Sequence, residues 1–124
     1  EAKRAAESLG RTIEEADRLA TNHTPGIVAV ISVSPREVSD KLRSMGWSRG
    51  QLQHSWTRDG RTVIPLHPVL ARGLEFDGVV VVEPGSFPQN LGREGLLYTS
   101  LTRATKELVV VHSKALPKGL RRPR

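Results

Sequence analysis

Residues 71–84 read Ala71-Arg72-Gly73-Leu74-Glu75-Phe76-Asp77-Gly78-Val79-Val80-Val81-Val82-Glu83-Pro84, a tight polar turn running straight into an apolar stretch. Val79 to Val82 is β-branched with no alternation of polar residues. A strand without a polar face has to be covered on both sides, which is the pattern of a parallel sheet flanked by helices. Glu75 and Asp77 are therefore expected at a sheet edge. Further on, Leu96-Leu97-Tyr98-Thr99-Ser100-Leu101-Thr102-Arg103-Ala104-Thr105 is helical in pattern and leads into a second apolar strand, Leu108 to Val111. Two such units predict one α/β domain.

The residues ahead of this stretch fit the same class. Glu1 to Asn22 places Ala5, Leu9, Ile13, Ala16, Leu19 and Ala20 close to the spacing of one helical stripe, so an amphipathic helix is expected there. Gly10 weakens its middle by about 1 kcal/mol relative to alanine and marks a place for a break or kink. His23-Thr24-Pro25-Gly26 ends the helix with turn chemistry. Ile27 to Val33 reads as a strand, and Ser34-Pro35 as the start of a helix with Ser34 as N-cap. Val38, Leu42 and Met45 are expected on its inner face before Gly46 closes it. Trp47 to Gly60 is polar with two isolated aromatics, and Asp59-Gly60 has the form of a hairpin turn. Trp56 has two readings, a platform for base stacking or a tryptophan capping the rim of the core. Arg61 to Leu66 reads as the next strand, with Pro65 arguing for a strand end because it has no N–H to donate. Glu83 to Gly92, with two prolines, two glycines and an asparagine, reads as an irregular surface loop.

Composition narrows the function. The chain has 124 residues, enough for one domain at about 100–200 residues each. It has no cysteine, which excludes disulfides and thiolate chemistry and suits a reducing cytoplasm, the expected location. No run of about 18 apolar residues offers a membrane span, and no membrane partner is expected. The formal net charge of +6 favours polyanionic partners, because each neutralised phosphate releases counterions. Part of that charge lies in a basic tail, residues 114–124, expected to be flexible and separate from a domain over 1–113.

Two segments carry a family resemblance. Arg72-Gly73-Leu74-Glu75-Phe76-Asp77 resembles motif V of superfamily I DNA helicases of the UvrD/Rep type, usually Lys-Gly-Leu-Glu-Phe. Leu97-Tyr98-Thr99-Ser100-Leu101-Thr102-Arg103-Ala104 resembles their motif VI, usually Leu-Tyr-Val-Ala-Leu-Thr-Arg-Ala. Order, separation and the valine-rich strand after each segment agree, and the likeness covers Thr62 to Ser113, about half the chain. It implies a three-layer RecA-like, P-loop-NTPase-like domain with a mainly parallel sheet, namely the C-terminal part of a second motor domain. No Gly-x-x-x-x-Gly-Lys-Ser/Thr loop is present. The chain is therefore read as a piece of a longer protein, inactive by itself, whose first RecA-like domain is its partner and holds most of the ATP and the magnesium.

The resemblance also implies roles. Arg103 would be the arginine finger that reaches the γ-phosphate when two domains close, a device worth about 10³–10⁵ in rate. Glu75 would accept hydrogen bonds from the ribose hydroxyls, and Gly73 would let the backbone pass close to nucleotide. Tyr98, Thr102, Leu97 and Leu101 would pack so as to aim Arg103. Arg72, with Trp56, is the candidate for contact with DNA, and no metal ligands are expected. The chain departs from the family at Val69, where a histidine usually stands four residues before the motif V glycine; His67 lies two residues too early. Arg72 also replaces the usual lysine. These departures, and the lack of room for a bulky insertion in Trp47 to Gly60, resemble a HelD-like branch. The reading is an ATP-dependent DNA helicase or translocase; the alternative is a HelD-like ATPase that binds RNA polymerase and releases it from nucleic acid.

Overall fold

Val79, Val80, Val81 and Val82 are all buried, and successive residues face different neighbours. Val80 and Val82 join one apolar cluster, while Val79 and Val81 join a second one on the other face. The computed structural model describes residues 2–87 and 93–112. Helix α1 spans Ala2–Asn22, followed by strand β1 (Ile27–Ile31), helix α2 (Pro35–Ser44), and strands β2 (Ser48–Arg49), β3 (Trp56–Arg58) and β4 (Arg61–Leu66). A 3₁₀ turn at Pro68–Ala71 leads to β5 (Phe76–Val82), and a second at Pro84–Ser86 follows it. Helix α3 (Arg93–Leu101) and β6 (Ala104–Val111) complete the described order.

The six strands form one sheet in the order β2-β3-β4-β1-β5-β6. β4, β1, β5 and β6 run parallel, and the β2–β3–β4 end is antiparallel. Ile13, Ala16, Leu19 and Ala20 of α1 and Val38 and Leu42 of α2 cover one face. Ala71, Phe87 and Leu101 belong to the cluster on the other. This is the three-layer α/β arrangement expected from the valine run.

Several local expectations change. α1 is one unbroken helix through Gly10, and no atom lies within 4 Å of where a Cβ there would sit. Ser34 occupies the N-cap position of α2, but its side chain makes no capping bond; its amide instead donates to Ser32 Oγ at 3.0 Å. Met45 is 40% exposed, so α2 buries only Val38 and Leu42. Asp59 and Gly60 both take positive φ, 49° and 80°, in the tight turn between β3 and β4, as the sequence predicted. Pro65 lies within β4, not at its end. Pairing with β3 stops at Val63, and the Leu66 carbonyl faces β1, where it accepts from Ser32 N at 2.8 Å. By the two-residue period, Pro65 then faces away from β1, beyond the end of β3, where a missing N–H breaks no ladder.

The loop after β5 is also less open than expected. Phe87 is buried in the second cluster, and Glu83 takes a left-handed φ of 47°. Residues 88–92 of that loop, and the basic tail at 114–124, lie outside the described residues. No helix among the described residues is long and apolar enough to cross a membrane.

Candidate functional site at the amino ends of β5 and β6

Glu75 immediately precedes β5 and Arg103 immediately precedes β6, and these strands are parallel neighbours. The Phe76 amide donates to the Arg103 carbonyl at 2.9 Å, which locks the two strand entries together. β5 lies inside the sheet, between β1 and β6, so Glu75 and Asp77 sit at the amino end of an interior strand and not at a sheet edge. The helical pattern read over residues 96–105 also ends sooner. α3 stops at Leu101 because the ladder with β5 begins at Ala104, paired with Phe76.

Arg103 is half-buried and held from three directions. Its Nε donates to Thr99 O at 3.0 Å, Nη1 to Leu74 O at 3.3 Å, and Nη2 to Thr102 Oγ1 at 3.1 Å. Thr102 Oγ1 in turn donates to Tyr98 O at 2.9 Å. A guanidinium has five N–H donors, so one remains on each terminal nitrogen and can donate to an oxyanion. No carboxylate pairs with Arg103 among the described residues. Thr102, expected to aim Arg103 by packing, instead contacts it through its hydroxyl, whereas Tyr98 is 71% exposed and contributes its backbone carbonyl. The side chain of Leu97 lies outside the described residues, and Leu101 packs on the second cluster.

Gly73 has φ +78°, a conformation that a side chain strains, and open space around it. That left-handed turn sets the direction of the Leu74 carbonyl. Arg72 and Glu75 are both exposed and make no hydrogen bond or ion pair among the described residues. Asp77 differs from Glu75: its carboxylate accepts from Ile27 N at 2.8 Å and lies 3.4 Å from Lys106 Nζ. The backbone bond from Ile27, then the Lys106 charge, hold its pKa below the ordinary carboxylate value. Asp77 thus ties the start of β1 to β5. Gly26 leaves the space for it, since a Cβ there would sit 2.5 Å from the Asp77 carboxylate carbon. The sequence placed Asp77 beside the turn but gave no sign of this backbone partner fifty residues away.

Two candidates fall elsewhere. Trp56 is 3% exposed in the first cluster, with Arg43 and Arg49 over its ring at 5.4 and 5.2 Å from the centroid. Of its two readings, the structure places it in the core, with no free ring face for a base. His67 caps the 3₁₀ turn at Pro68–Ala71, its Nδ1 accepting from Val69 N at 3.2 Å, and Val69 is exposed. No group of three or more His, Cys, Asp or Glu that could hold a metal ion occurs among the described residues.

The class defined by this geometry is a mainly parallel, three-layer α/β domain whose two motif segments meet at the amino ends of adjacent strands. Residues 70–111 match the model of the UvrD-like helicase C-terminal domain. Among solved structures, the C-terminal domain of a possible DNA helicase from Lactobacillus plantarum WCFS1 is similar at 22% identity and a TM-score of 0.65, covering 90% of this chain and 70% of that one. The large terminase of a thermophilic bacteriophage, in complex with ADP, is a weaker likeness, at 12% identity and a TM-score of 0.48, over 74% of this chain and 27% of that one. No curated protein matches the chain.

Proposed function

We propose that this chain is the C-terminal part of the second motor domain of an ATP-dependent DNA helicase or translocase, and that Arg103 is the finger it extends to a nucleotide held mainly by another domain. The carrying observation is the guanidinium of Arg103, without a carboxylate partner among the described residues and anchored by Thr99, Leu74 and Thr102 with two donors left over. A domain that cradles its own triphosphate presents a loop and a helix amino terminus at the carboxyl ends of its strands. Here the motif residues stand at the opposite, amino ends, which suits approach to a nucleotide across an interface. Exposed apolar side chains on the same segments, Leu70, Leu74 and Tyr98, favour a face that meets a second domain.

In this reading, negative charge that spreads over the transferred phosphoryl oxygens is met by the two remaining Arg103 N–H groups. The backbone acceptors keep the guanidinium from folding back, so little reorganisation is needed at the moment of transfer. Glu75, exposed at the adjoining strand entry, would accept from ribose hydroxyls. Magnesium and the phosphate cradle belong to the first domain. In this reading Glu75 serves the ribose end and Arg103 the γ-phosphate end of an ATP shared between the two domains. No observation favours RNA polymerase over DNA as the client.

The test is steady-state ATP hydrolysis by the longer protein carrying Arg103→Ala. Turnover is expected to fall by about 10³–10⁵ with a much smaller change in KM. Undiminished turnover would refute the assignment.

A further inference from the structure

β5 and β6 do not keep one register along their length. Phe76 pairs with Ala104 but Gly78 with Glu107, so one residue of β5, Asp77, stands opposite two of β6, Thr105 and Lys106. From Gly78 onward the ladder is regular, and packing fixes it. Val80, Val82, Val109 and Val111 belong to the first cluster, Val81 and Val110 to the second. Continued backwards without a break, that ladder would set Phe76 opposite Thr105, and the Phe76 amide would meet the carbonyl of Ala104. The extra residue instead draws β6 forward by one position, about 3.3 Å, and the amide meets the carbonyl of Arg103. A bulge of this kind re-aims the residues beside it. Here it brings Arg103 level with the entry of β5, within reach of the Leu74 carbonyl.

Three side-chain ties hold the irregular stretch. Thr105 Oγ1 donates to Phe76 O at 3.2 Å, and Lys106 Nζ lies 3.4 Å from Asp77 Oδ1. Glu107, where the regular ladder begins, turns its carboxylate to α1. His23 Nε2 lies 2.9 Å from its Oε1, and Arg18 Nη1 donates to its Oε2 at 3.1 Å. Arg18 is itself paired with Glu15, at 2.7 Å from Nη2. The third tie therefore anchors the residue where the two registers meet to a helix whose own place is set by the buried Ile13, Ala16 and Leu19. Partly exposed ion pairs add little to global stability. Loss of this one is expected to show at the bulge more than in the melting temperature.

We propose that Glu107, clamped to α1 by His23 and Arg18, is a positioning residue for Arg103: it fixes the one-residue register shift that carries Arg103 to the entry of β5. The catalytic consequence rests on the reading of Arg103 as the finger, whereas the effect on the guanidinium does not.

Glu107→Ala removes the carboxylate, and a His23→Ala/Arg18→Ala double variant removes its partners while leaving β6 untouched. Val38→Ala, a truncation of a buried residue of α2, controls for a general loss of stability. In proton–nitrogen correlation spectra of the complete chain, the Arg103 Nε–H, identified by its absence in Arg103→Ala, reports on the guanidinium directly. It should shift or broaden in both clamp variants and keep its wild-type position in Val38→Ala. In the longer protein both clamp variants should lower kcat for ATP hydrolysis by about 10- to 100-fold with little change in KM, the scale of a displaced catalytic group. A wild-type Arg103 signal in both clamp variants would overturn the proposal. So would wild-type turnover in both when Arg103→Ala abolishes it. Undiminished turnover in Arg103→Ala itself would instead strike the reading of Arg103 as the finger, which the spectra do not depend on.

Discussion

Arg103 Nη1 donates to the carbonyl of Leu74 at 3.3 Å, so the residue that enters β6 grips the loop that enters β5. The two motif segments are thereby one mechanical unit. A change in either should be felt at the guanidinium, even when residue 103 itself is kept.

Thr102 is the side-chain member of that grip. Thr102→Val removes the oxygen that accepts from Arg103 Nη2 and keeps the shape. Loss of one hydrogen bond to a charged group predicts about a tenfold fall in ATP turnover by the longer protein. Thr102→Ser, which retains the hydroxyl, should recover most of it. Equal activity of both variants and wild type would show that the hydroxyl does not position the arginine.

Gly73 is the backbone member. At φ +78° an alanine costs about 1–2 kcal/mol, although no neighbour would clash with its Cβ. Gly73→Ala should therefore lower the melting temperature modestly and, by turning the Leu74 carbonyl, reduce turnover further than that loss of stability explains. Thermal melting and kcat measured on one preparation separate the two effects.

Asp77 gives a dependence on pH. Its pKa is depressed by the Ile27 amide and then by Lys106, so it adds stability while ionised. That contribution is present above the ordinary carboxylate value of about 3.9 and disappears as pH falls through the lower folded value. Asp77→Asn should be less stable than wild type near neutrality, with the gap closing in acid. Asp77→Ala, which leaves the Ile27 amide without its partner, should lose about 1–3 kcal/mol. Denaturant titrations across pH check both.

Gly78 is a packing position. A Cβ there would come within 3.3 Å of Leu19 Cδ1 and of Val28 Cγ2, so in Gly78→Ala one of these side chains must shift by a few tenths of an ångström. About 1–3 kcal/mol of destabilisation is expected. Shortening Leu19 to alanine should make Gly78→Ala less costly, and a double-mutant cycle would show coupling between the two.

The parts of this structure that were legible beforehand are those set by local pattern. Four β-branched residues in a row required covering on both faces, and Asp59-Gly60 required a turn with positive φ. Long-range pairings were hidden. Nothing near Asp77 announced that it would bind the amide of Ile27, and Trp56 carried no mark distinguishing a stacking surface from a core residue. Pro65 misled because a missing N–H matters only on the side where a partner strand continues, and that depends on where β3 stops. Of the candidate site, the resemblance singled out Arg103 and Glu75, which stand at the entries of adjacent strands. The carbonyls of Thr99 and Leu74 that hold the arginine belong to the backbone, which side-chain patterns do not describe.

The central claim is that this chain gives its arginine to a nucleotide bound by another domain. The most direct measurement mixes the separately produced first motor domain with this chain and follows ATP hydrolysis. Wild-type chain should stimulate hydrolysis, Arg103→Ala should bind the first domain without stimulating it, and neither form should hydrolyse ATP alone. Hydrolysis by the isolated chain, or equal stimulation by the Arg103→Ala form, would contradict the account.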